Sequence, residues 1–146
     1  MNVTVLRTYR AQLEQALRAE LAELQRALDA AEAERRRLDV SAEEDARRYL
    51  EAARAGLPAA EAAGRYELME GLAEAVLRAQ ALVSAAHERW RTKMAEVLEA
   101  ARERKKMESL QRRRAAADRR SVAAAAQRET DEAASRGGEG RGPAER

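Results

Sequence analysis

The chain has 146 residues, enough for one domain, with 37% charged residues, 3% aromatics, and neither Phe nor Cys. Its 45% hydrophobic content is swollen by alanine, which buries little area per residue, so a thick globular core is excluded and long helices are indicated. A formal net charge of +2 with both signs interleaved describes solvated helix faces, and zero cysteines exclude disulfides and thiol chemistry.

No stretch is suited to a bilayer. The longest uncharged runs, such as AQALVSAA at 79–86, are far too short to span one, and MNVTVLRTYR at the start lacks the apolar core of a signal peptide. A cytoplasmic location is the expectation.

The first long segment is periodic. Val3, Leu6, Leu13, Leu17, Leu21, Leu24, Leu28, Ala31 and Leu38 follow in steps of three and four, with Arg10 and Arg35 standing in the same seam. Consecutive four-residue steps at Leu13, Leu17 and Leu21 mark a stutter in the heptads. Ser41 and Glu44 have capping-box spacing, so a helix either restarts there or runs through with a local defect. At AGLPAAEAAG, residues 55–64, Gly56 is a good helix terminator and Pro58 suits the first turn of a following helix. From about residue 59 a second helix meets no stop before Arg136-Gly137-Gly138. Its seam is read through Leu68, Leu72, Ala75, Ala79, Leu82, Ala86, Trp90, Met94, Val97 and Ala101. GGEGRGPAER at 137–146 reads as a disordered tail.

Two long helices joined by a short reversal pair antiparallel. The expected architecture is therefore all-α: a long two-helix antiparallel coiled-coil hairpin over residues 1–136. Helix one covers about 3–55, the reversal about 56–58 and helix two about 59–135, followed by the tail at 137–146. A turn centred near residue 57 sets residue 3 against about residue 111. Everything from about Arg112 to Ser135 then overhangs without an internal partner, a projection of roughly 35 Å. An isolated helix of that length is marginal in water, so another molecule is expected to complete it.

Catalytic chemistry is not visible. His87 has no Cys or second His with which to build a typical zinc site, and Asp131-Glu132 sit among scattered helix-surface acids. No glycine-rich phosphate loop occurs. The expectation is no enzyme, no metal and no cofactor. The basic run ERKKMESLQRRRAAADRR at 103–120 admits three readings: a nucleic-acid-binding helix, a solvated face, or a protein-docking helix. Against nucleic acid stand the missing base-stacking aromatics and the small Ala117, Ser121, Ala124 seam, too weak for a basic zipper. For docking, small alanines admit a partner closely and flanking arginines engage carboxylates bidentately. The scarce aromatics, Tyr9, Tyr49, Tyr66 and Trp90, are either anchors for a partner or internal packing.

Residues 90–134, WRTKMAEVLEAARERKKMESLQRRRAAADRRSVAAAAQRETDEAA, combine a Trp-containing seam, a basic cluster, an L-x-x-R element and a closing R-E-x-D-E-A. With GRYELMEGLAEAV at 64–76, where an aromatic precedes a leucine-spaced run, this pattern resembles the FliJ family, the small coiled-coil component of the flagellar type III export apparatus; injectisome stalk proteins are similar. The alanine-rich C-terminal seam is poorer in large apolar residues than the family pattern. The resemblance implies a non-enzymatic stalk or adaptor that enters and stimulates a hexameric export ATPase, contacts the membrane export gate and, in some members, handles empty export chaperones. It implies Arg112, Arg113, Arg114, Arg119 and Arg120, with Leu6 and Tyr9, at the ATPase, and Tyr49, Leu50, Tyr66, Leu68 and Leu72 at the gate. It implies neither nucleic acid nor direct membrane insertion, and a cytoplasmic protein peripheral to the inner face of the inner membrane. The alternatives are a self-associating coiled-coil scaffold and a basic nucleic-acid-associated helix.

Overall fold

A computed structural model describes residues 2–139. Two helices make it up, α1 over Val3–Ala55 and α2 over Ala59–Glu139, with no strand among the described residues. Asn2 caps α1: its Oδ1 accepts the Thr4 backbone N–H at 3.0 Å, satisfying one of the donors that a helix start leaves open. α1 then runs unbroken past Ser41 and Glu44, so their spacing starts no second helix. Gly56 follows the last residue of α1 with φ of 94°, in the left-handed region that costs a side chain with a Cβ about 1–2 kcal/mol. Its N–H donates to the Ala53 carbonyl at 3.3 Å, and the Pro58 carbonyl accepts the Ala62 N–H at 3.0 Å to open α2. Proline suits this place because its missing N–H would find no partner in a first turn.

At its far end α2 includes Gly137 and Gly138, which the sequence reading assigned to the tail. Glycine lowers helix propensity by about 1 kcal/mol but keeps its N–H donor, so an established helix can propagate through it. The rest of that tail, 140–146, lies outside the described residues.

The chain divides into two compact units, one of residues 12–101 and one of 1–11 with 102–146. In the first, Lys93 Nζ lies 2.7 Å from the Glu20 carboxylate. Glu20 stands 35 residues before the end of α1 and Lys93 34 residues after the start of α2, so the two helices run back alongside one another from the loop. Leu28, Ala79, Val97 and Ala100 are buried, and most remaining seam residues are half-buried. This thinness is inherent in two helices, since each seam side chain is covered from one side only.

On α2 the covered positions in this unit include Met69, Leu72, Ala75, Val76, Ala79, Val83, Ala86, Trp90, Lys93, Met94, Val97, Ala100 and Ala101. Leu68 and Leu82, read as seam residues from the sequence, are instead 67% and 65% exposed. Keeping a seven-residue interval from Trp90 and Val97 selects Val83, Val76 and Met69; the larger leucines beside them lie about 100° round the helix. Charge also enters the seam. Glu14 is 3% exposed with Arg18 Nη2 at 2.7 Å, and Arg35 is half-buried with Asp39 at 3.8 Å.

In the second unit Val3, Leu6 and Arg10 of α1 are half-buried, and Arg7 Nη1 donates a long 3.4 Å hydrogen bond to Gln111 Oε1. Ala116 is the last half-buried residue; every residue from 117 to 138 is exposed. The uncovered stretch thus begins about one turn later than the expected Arg112. Residues 115–126 include seven alanines, the best helix former, which lets the backbone stay helical with little packing.

Two substitutions separate backbone conformation from packing, because an added Cβ at Gly56 or Gly71 meets nothing within 4 Å. Gly56→Ala should lower stability by about 1 kcal/mol through its left-handed φ, and Gly71→Ala should raise it by about 0.5–1 kcal/mol as a helical position, both read by urea denaturation. Lys93 generates a pH test. Its ammonium is held above its ordinary value of 10.5, first by the hydrogen bond to Glu20 and next by that to Glu96. A raised folded value stabilises fully below pH 10.5, and the gain is lost as pH rises through the folded value. Lys93→Met should therefore show a smaller fall in melting temperature than wild type between about pH 10 and 11.5. Equal falls would remove the clamp.

Candidate functional site

Charge is divided between the two units. Residues 12–101 carry 13 basic and 18 acidic side chains, net −5; the other unit carries 15 and 8, net +7. The basic excess is concentrated in α2 from Arg102 to Arg120. Arg112, Arg113, Arg114, Arg119 and Arg120 are all exposed, and none has an ion-pair or hydrogen-bond partner among the described residues. Lys105 shares this state and was not singled out in the sequence reading, where it was one cation in a run. Its neighbours differ: Lys106 Nζ pairs with Glu103 at 2.9 Å and Arg104 with Glu108 at 2.8 Å. The Lys106 ammonium, with Arg10 adding to it, holds the Glu103 carboxyl below its ordinary value of 4.5.

The bond from Arg7 to Gln111 brings the first turns of α1 beside the start of the arginine run. Of the two α1 residues expected there, Leu6 is half-buried and therefore mainly packing, whereas Tyr9 is exposed. Val122, further along α2, is 70% exposed, the largest apolar side chain on the uncovered stretch.

At the loop end, Tyr49 and Leu72 are half-buried while Leu50, Tyr66 and Leu68 are exposed. Asp45, Arg48, Arg65, Leu68 and Met69 line an open depression of about 310 Å³. The five residues expected at the gate therefore split into two that pack and three that are presented. Tyr49 and Tyr66 do not stack on each other; the ring contact among the described residues is His87 with half-buried Trp90, centroids 6.0 Å apart and planes at 29°. Among the described residues no group of three or more His, Cys, Asp or Glu is placed to hold a metal, and no helix is long and apolar enough to cross a membrane.

The described residues thus present an uncovered basic helix near an exposed Tyr9, and exposed Leu50, Tyr66 and Leu68 towards the loop. Compared with known proteins, the chain finds no match among curated proteins or solved structures. The model of the family described as flagellar FliJ protein matches residues 3–142, spanning both helices, the loop and the basic segment. The chain belongs to the FliJ family.

Proposed function

We propose that the protein is a non-enzymatic stalk or adaptor of the flagellar protein export apparatus, built as an antiparallel coiled-coil hairpin. The uncovered end of α2 engages the hexameric export ATPase and raises its activity. Arg112, Arg113, Arg114, Arg119 and Arg120 make that contact, with Tyr9 exposed nearby and Leu6 supporting the N-terminal turns. Leu50, Tyr66 and Leu68, backed by Tyr49 and Leu72, meet the membrane export gate, and export chaperones are a further partner. In this reading the protein works in the cytoplasm, peripheral to the inner membrane.

The observation that carries this reading is the run of exposed residues from 117 to 138, with three unpartnered arginines just before it and two more near its start. A helix end this long, left open and bordered by cations, is suited to a partner that surrounds or grips it.

Purified protein added to the export ATPase should raise ATP hydrolysis several-fold. The triple change Arg112→Ala, Arg113→Ala and Arg114→Ala should cut that stimulation by about tenfold while leaving helicity by circular dichroism unchanged, because the three side chains are exposed. Undiminished stimulation by the triple variant would overturn the assignment of these arginines. Concentration-dependent oligomers in sedimentation, with no effect on the ATPase, would favour a self-associating scaffold instead.

A further inference from the structure

Successive residues of an α-helix turn by about 100°, so positions seven apart fall nearly in line. Lys105, Arg112 and Arg119 form one such row along α2, and Lys106, Arg113 and Arg120 form a second. Members of a row repeat roughly every 10 Å. Between the rows run Ser109, Ala116 and Ala123, again seven apart and all small. The long cations thus flank a shallow strip of small residues, and a depression of about 300 Å³ lies along the second row, where Lys106 and Arg113 stand between Ser109 and Leu110. Ser109 and Ala116 are half-buried although Gln111, which meets Arg7, lies on the other side of the helix.

Among the described residues most of this stripe is left without a counter-charge. Lys106 is engaged by Glu103, but Lys105, Arg112, Arg113, Arg119 and Arg120 have no partner among the described residues. Elsewhere many arginines are answered within one helical turn, as in Arg18 with Glu14, Arg37 with Glu34, Arg91 with Glu88 and Arg136 with Glu132, and those that are not, such as Arg47 and Arg89, do not line up in rows of three cations seven apart. The nearby acids are accounted for or lie off the stripe: Glu108 is held by Arg104, and Asp118 projects from the opposite side. Arg114 also lies off the stripe, about 150° from its middle.

We propose that this stripe is a seat for an acidic helix of a protein partner. Its carboxylates form two rows against the two rows of cations, and its ridge lies along the strip of Ser109, Ala116 and Ala123. Arginine provides the planar fork that pairs a carboxylate through two parallel hydrogen bonds, and the small floor residues let the two backbones approach. The seven-residue repeat is the repeat of side chains on another helix. A planar headgroup surface would rest on the cation tips and leave the strip uncovered, and no aromatic between 102 and 127 is available to stack a base. The inference deepens the stalk reading, resting on it only in placing the acidic helix in the export ATPase.

The test uses the full chain and a synthetic helical peptide of about 24 residues with glutamates in two rows seven apart beside an alanine row. Its control has the same composition with the glutamates spread around the helix; vesicles containing phosphatidylglycerol and duplex DNA are run in parallel. The row peptide should bind about tenfold more tightly than its control and weaken steeply between about 0.1 and 0.3 M salt. Lys105→Ala with Arg112→Ala and Arg113→Ala should cost about tenfold or more in affinity, and Arg89→Ala, at an exposed arginine of the other unit, should cost nothing measurable. No binding of the row peptide, equal binding of the control, an Arg89→Ala loss as large as the triple loss, or tighter binding to vesicles or duplex would each overturn the proposal. ATPase stimulation measured alongside separates the two readings. Row-selective peptide binding without stimulation removes the stalk and leaves the seat, whereas stimulation without row selectivity removes the seat and leaves the stalk.

Discussion

α1 spans 53 residues and α2 81, and a helix pair can bury a seam only where both helices are present. The unequal lengths set the character of every part of α2. Where α1 accompanies it, Ala79, Val97 and Ala100 are buried and the charged faces are solvated. Where α1 has ended, large apolar residues give way to alanine, with Val122 alone left exposed on the uncovered stretch. The composition follows the geometry: a leucine stripe without a partner would be an aggregation hazard, and alanine keeps the helix without creating one.

Charge follows the same division. Along both helices many opposite charges sit three or four residues apart and satisfy each other locally on exposed faces, where such pairs add little to stability. Such pairing leaves little field for a partner to feel. The segment from Lys105 to Arg120 departs from it, since its carboxylates are few and its cations repeat in phase with the helix. A local excess of this kind acts beyond contact distance, over about a Debye length, and so orients an approaching acidic surface before any side chain touches.

The all-helical, two-helix plan was legible because leucine periodicity and a long absence of glycine and proline speak for helices without reference to tertiary contacts. Finer matters depended on contacts the sequence does not show. Leu68 and Leu82 look like better seam residues than Met69 and Val83 when size alone is weighed, and only the seven-residue phase from Trp90 and Val97 separates them. Glu14 looks like any surface glutamate until the opposing helix covers it. The alignment of Lys105 with Arg112 and Arg119 was present in the spacing but hidden by the density of the basic run. At the loop, the division of Tyr49 and Leu72 from Leu50, Tyr66 and Leu68 is one of facing, which their identities do not carry.

The contact between Glu20 and Lys93 has a consequence beyond its own strength. A seam of leucine and alanine alone is nearly unchanged by sliding one helix seven residues along the other, so such slips cost little. Glu14 with Arg18 and Arg35 with Asp39 pair within α1 and would travel with it. Glu20 would not, since a slip takes it away from Lys93 and leaves that ammonium with Glu96 alone. One ion pair across the seam thus favours a single stagger of residues 12–101 out of several that packing would tolerate, as a pin fixes two sliding rods.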